Sequence, residues 1–111
     1  MSDILTISIF SVLPELFSQE GTDDPILYIK LHDKRTDWVA YLAEGGILDD
    51  DYQIYGLFTG GRSRTWMQIS LSKFLRGLRE NGVSAVPDSS FVPSRMSFVV
   101  GYLRSQTHRS R

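Results

Sequence analysis

Ile26-Leu27-Tyr28-Ile29-Lys30-Leu31-His32 alternates apolar and polar side chains, and a period of two marks a strand with one buried face. Leu27, Ile29 and Leu31 then point to the core, and Tyr28, Lys30 and His32 point away from it. Three more runs rich in branched and aromatic residues follow: Asp37 to Glu44, Tyr52 to Phe58 and Arg64 to Ser70. The pieces between them, Asp33 to Thr36, Gly45 to Asp51 and Thr59 to Arg62, are short and polar or glycine-bearing, the length that joins antiparallel neighbours. A four-stranded antiparallel meander is predicted. On its last strand Met67 and Ile69 face inward while Trp66, Gln68 and Ser70 face outward, with Tyr41 and Tyr55 joining that outer face.

Helical spacing flanks this sheet. Leu71, Phe74, Leu75 and Leu78 fall at i, i+3, i+4 and i+7 between a capping Ser70 and a terminating Gly82. Gly77 inside this helix costs about 1 kcal/mol relative to alanine, which close approach to the sheet would explain. Asp3 to Phe17 is read as a second helix through Leu5, Ile9, Val12, Leu13, Leu16 and Phe17, capped by Ser2 or Asp3, although Leu5, Ile7 and Ile9 also alternate as in a strand. Pro14 kinks or restarts it near Leu13. Gly21 to Pro25 is turn chemistry. Val83 to Pro93 reads as irregular, and Arg95 to Leu103 as a last strand or a short helix. The expected class is α+β, an antiparallel sheet of about four strands with helices packed on one face. Residues 1–103 form the single domain and 104–111 a flexible basic tail.

The 111 residues carry 12 basic and 13 acidic side chains and no cysteine. Disulfides, cysteine-based zinc sites and a cysteine nucleophile are thereby excluded. No apolar stretch approaches the roughly 20 residues of a membrane helix, and no secretory signal is legible, so a cytoplasmic protein without membrane contact is expected. The net charge of −1 conceals an asymmetry: residues 1–60 hold 11 acids and 3 bases, residues 61–111 hold 9 bases and 2 acids. Opposite halves neutralise each other within one fold, drive head-to-tail association into a homo-oligomer, or present a basic surface to an acidic partner.

Catalytic templates fail one by one. Asp49, Asp50 and Asp51 miss the calcium-loop spacing, because Ile54 stands where the turn glycine belongs. Two histidines, His32 and His108, are too few for a nitrogen-ligated zinc site. Gly60 and Gly61 before Arg62, Ser63 and Arg64 match neither a phosphate loop nor a dinucleotide fingerprint. Ser70 to Lys73 has the serine-x-x-lysine spacing without its companion motifs. His32 with Asp33 and Asp37 is the one acid/base grouping that remains. No catalytic residue, metal or cofactor is assigned. The outer sheet face instead gathers Tyr28, Tyr41, Tyr55 and Trp66 with Lys30, Arg62 and Arg64 nearby, and Arg76 follows on the helix. Aromatic and basic side chains so placed suit base stacking and phosphate contact, or a protein partner.

Leu13-Pro14-Glu15-Leu16-Phe17-Ser18-Gln19-Glu20, then Asp24-Pro25 and Lys30-Leu31-His32, resemble a family of small proteins known as domain of unknown function 2958. Asp37-Trp38-Val39-Ala40-Tyr41 with Glu44 is similar to its tryptophan-containing strand, and Asp51 with Tyr55-Gly56-Leu57-Phe58 and Gly60 to the next one. Ser70-Leu71-Ser72-Lys73-Phe74 resembles its helix start, and Asp88 with Phe91 its late aspartate-x-x-phenylalanine. Arg64 to Ile69 stands where the family usually has a glutamate followed by a glycine-tyrosine strand, and Lys73 replaces an acid. The resemblance implies a compact α+β domain, often encoded on plasmids and other mobile elements, and brings no catalytic residues. The expected function is a non-enzymatic binding module in that context, engaging a protein or a nucleic acid. The alternatives are a small hydrolase or transferase built on His32 with Asp33 or Asp37, and an inhibitor that mimics nucleic acid through its acidic first half.

Overall fold

A computed structural model describes residues 7–60 and 63–101. The expected caps Ser2 and Asp3, Arg62 and the basic tail 104–111 lie outside the described residues. Antiparallel strands β2 (Ile29–Asp33), β3 (Val39–Leu48), β4 (Asp51–Gly60) and β5 (Ser63–Ser70) form the predicted meander. A fifth strand, β6 (Ala85–Pro87), joins β2 and gives the order β5-β4-β3-β2-β6. Two strands of two residues each, β1 (Ile26–Leu27) and β7 (Ser94–Arg95), pair in a separate ribbon. The α+β class and the antiparallel sheet are as the sequence predicts. The segment expected to be wholly irregular supplies β6, and the last segment is first a strand and then helical over residues 96–101.

Gly45 to Asp51 is not a loop. Leu48 pairs with Asp51, so only Asp49 and Asp50 turn the chain, both with positive φ (55° and 65°). Two left-handed residues in a two-residue connection match the right-handed twist of the strands, and aspartate tolerates that conformation better than most side chains. Gly45 serves packing here: a Cβ would collide with the Tyr52 hydroxyl and meet Leu13 Cδ1 at 2.9 Å.

The stretch that opens the sheet breaks at Tyr28. Ile29 and Leu31 join Ala40, Leu42, Ile54, Phe58 and Phe74 on one face, whereas Leu27 packs with Tyr41, Ala43, Leu57 and Val99 on the other. Continuous alternation placed all three leucine and isoleucine side chains together. One residue out of register at Tyr28 is enough to send Leu27 to the opposite face. A bulge in β3 accompanies the break: Leu42 is opposite Gly56 and Glu44 opposite Tyr55, leaving Ala43 as the extra residue.

The two expected helical segments cover the first face. Residues Ile7–Val12 form a 3₁₀ helix that stops short of the predicted end at Phe17, because Pro14 removes a donor and restrains Leu13; Asp3 to Thr6 lie outside the described residues. Phe10 and Leu13 from this segment are buried there. α1 (Leu71–Glu80) lays Phe74, Leu71, Leu75 and Leu78 on the same cluster. Ser70, expected to face outward, is buried as its N-cap and accepts the Lys73 N–H at 3.2 Å. At the other end Gly82 N–H donates to Arg79 and Val83 N–H to Leu78, with Gly82 at φ +67°. A Cβ at Gly77 would meet nothing within 4 Å, so close approach to the sheet does not explain that glycine. Met67 points the same way as Ile69 yet remains exposed beside the groove between α1 and β5.

Candidate functional site

The outer face is not open. Phe91, Met96, Val99 and Val100 pack onto Tyr41 and Leu57 from the C-terminal side, and residues 15–20 cross the other end, held by Glu44. Tyr41 is 4% exposed with its ring 5.8 Å from that of Phe91. Tyr55 and Trp66 do meet, at 5.3 Å between centroids and 31° between planes. Arg64 alternates with Trp66 on β5 and is exposed on the same face. Tyr28 packs against the opposite cluster, and Arg76 is exposed on α1, also on that side. The aromatic platform read from the sequence is therefore divided between two faces and two clefts.

The first cleft has a volume of about 350 Å³ and is walled by Lys30, Tyr41, Asp88, Phe91 and Val99, with Val92 and Phe98 on its rim. Val92 is 66% and Phe98 70% exposed. Lys30 Nζ lies 3.5 Å from Asp88 and 5.9 Å from the centre of the Tyr41 ring. The Ser90 hydroxyl, and then its N–H, hold the Asp88 carboxyl below its ordinary pKa, with a smaller contribution from Lys30.

The second cleft, about 360 Å³, lies between residues 17–25 and the strands and includes Phe17, Glu20, Glu44, Tyr55 and Gln68. Its floor is a bridge. Gln19 Nε2 donates to the carbonyls of Ile26 (2.9 Å) and Ala43 (3.1 Å), and Gln19 Oε1 accepts the Ile26 N–H (2.7 Å). The side-chain amide thus stands in for a backbone peptide where β1 leaves β3. Glu44 Oε1 and Oε2 accept the N–H groups of Phe17 (2.7 Å) and Gln19 (3.0 Å), fixing Phe17 at φ 69°. Asp88, Val92, Phe98, Gln19 and Glu44 were not singled out as site residues in the sequence. Val92 and Phe98 carry a local signal, as large apolar residues in a segment otherwise rich in serine and proline.

The halves of the charge asymmetry meet within one chain where Arg95 lies close to Asp24, whereas the Lys30–Asp88 pair joins the minority charge of each half. Asp24 docks the helix at 96–101: its oxygens accept the Ser97 N–H and hydroxyl, each at 2.7 Å. Those bonds, the hydroxyl first, lower its pKa from the ordinary value. On acidification the unfolded chain takes up this proton first, so the stabilisation is complete above the ordinary carboxylate pKa and is lost as pH falls toward the folded value. Hydrogen-exchange protection over residues 96–101 is expected to fall in that window. Asp24→Asn lowers it already at neutral pH and flattens the pH dependence; equal protection in both proteins would contradict the docking role.

Asp33, a member of the expected acid/base grouping, is buried at the end of β2. Its carboxylate accepts the Arg35 N–H at 3.2 Å and the Thr36 hydroxyl at 3.0 Å, and the Arg35 bond is the main cause of its lowered pKa. No group of three or more metal-ligating side chains occurs among the described residues, and no described helix is long and apolar enough to cross a membrane. Compared with models of protein families, with curated proteins and with solved structures, the chain shows no match.

Proposed function

We propose that the chain is a non-enzymatic binding module, and that its first cleft receives an apolar side chain of a partner protein. One observation carries this reading: Val92 and Phe98, both largely exposed, flank a cavity whose floor is Tyr41, Phe91 and Val99. Large apolar groups left in water beside a preformed apolar cavity are the arrangement of an interaction site, and a single anchor seated in such a cavity dominates binding. The Lys30–Asp88 pair on the wall supplies the polar groups that orient an extended segment. The resemblance to domain of unknown function 2958 adds an expected setting, a cytoplasmic partner belonging to a mobile element or its host.

Selection of a displayed peptide library on the folded chain tests the proposal. Enriched peptides are expected to share an aromatic or aliphatic anchor and to lose at least about tenfold in affinity against Phe98→Glu, whose thermal midpoint stays near that of the unchanged protein because the side chain is exposed. Peptides that bind Phe98→Glu equally well would overturn it. So would tight, steeply salt-dependent binding of single-stranded oligonucleotides that is lost in Arg64→Ala, which belongs to the nucleic-acid reading.

A further inference from the structure

The second cleft contains a buried carboxyl group with no ion-pair partner among the described residues. Glu44 is 5% exposed, its oxygens accept two backbone N–H groups, and no lysine or arginine among the described residues forms an ion pair with it. Buried charges are ordinarily both hydrogen-bonded and paired. Glu20, exposed and without a side-chain partner among the described residues, adds a second acid to the same cleft. Phe17 and Tyr55 add aromatic surface, and Trp66 lies against Tyr55. The basic residues predicted to make contacts, Lys30, Arg64 and Arg76, do not line it.

We infer that this cleft binds the guanidinium group of an arginine side chain presented by a partner protein. Carboxylates beside aromatic faces favour a cation, and the volume falls in the range of small-ligand sites. Guanidinium fits better than ammonium: it is planar, stacks on aromatic rings, forks onto carboxylates and sheds water more readily. Glu20 and Glu44 make this cleft acidic and draw a basic segment to it. This site is separate from the apolar cleft and stands or falls independently of it.

The test is an amide-resolved NMR titration of the full chain with the blocked peptide acetyl-Gly-Arg-Gly-amide. Saturable shifts are expected at the amides of Phe17 and Gln19, which contact Glu44, and at Tyr55. The same peptide with citrulline, a neutral isostere, leaves them in place. Glu20→Gln weakens the arginine peptide by about two- to fivefold without unfolding the chain, and added salt weakens it further. Equal shifts with citrulline, or none at about 10 mM peptide, would overturn the site. Tighter binding of free agmatine than of the peptide would overturn the protein source of the guanidinium, and equal binding of the lysine peptide its preference for that group.

Discussion

Gly56→Ala is expected to lower the free energy of unfolding by about 3 kcal/mol or more, among the costliest single-methyl changes available in this chain. A Cβ at position 56 would collide with the Tyr41 carbonyl oxygen and come within 2.9 Å of Leu42 Cα and 3.0 Å of Tyr41 carbonyl carbon. All of these atoms are backbone of β3, so no side-chain rotation relieves the contact. Moving β3 instead disturbs Tyr41 and Leu42, which serve the clusters on opposite faces. Urea denaturation measures the effect. Gly77→Ala is the control: with nothing within 4 Å of its Cβ, it should gain up to about 1 kcal/mol from helix propensity. A Gly56→Ala protein within experimental error of the parent would show that the backbone of Tyr41 and Leu42 does not close the space at position 56.

The second large effect belongs to Gln19. Alanine there deprives the Ile26 N–H, the Ile26 carbonyl and the Ala43 carbonyl of their partner in one step. At about 1 kcal/mol for each hydrogen bond, the expected loss is about 3 kcal/mol. Glutamate is the sharper probe, because it preserves shape but not donors. Its carboxylate still accepts from Ile26 N–H, yet it confronts two carbonyl oxygens that formerly received hydrogens. It also brings a charge beside Glu44, whose Oε2 is bonded to the backbone N–H of the same residue. Gln19→Glu should therefore be at least as unstable as Gln19→Ala at neutral pH. If glutamate proved the milder change, the bridge would not work through the two carbonyls.

These two positions show where the sequence is readable and where it is not. The meander and α1 are legible because their information is local: alternation in β2, β4 and β5, and Ser70 and Gly82 bracketing a helical period. Gly45 and Gly56 look like turn and strand glycines, and only the neighbouring backbone and the Tyr52 ring show why a side chain is excluded. Gln19 has no local signature at all, since its three partners are 7 and 24 residues away. Leu27 was placed on the wrong face because a one-residue break at Tyr28 leaves the alternating pattern intact in the sequence. The candidate sites divide the same way. Lys30, Tyr41, Tyr55 and Trp66 share the side of the sheet that was expected, but what lies over them comes from residues 15–25 and 88–101. Tyr28 lies on the other face with Ile29 and Leu31 for the same register reason, and Arg76 lies on α1, on that side of the sheet.

The two faces of the sheet are closed by very different lengths of chain. α1 follows β5 directly, whereas the Asp24–Ser97 contact that seats the opposite cover joins residues 73 positions apart. On a ribosome the five-stranded sheet and α1 have their partners on the first face once about residue 87 has left the exit tunnel, because short hairpins close at little entropic cost. Leu27, Tyr41 and Leu57 then wait, apolar and uncovered, until residues 94–101 emerge. Synthesis itself thus imposes an interval in which this chain is most vulnerable to clumping with its neighbours, and it ends only with the last strand.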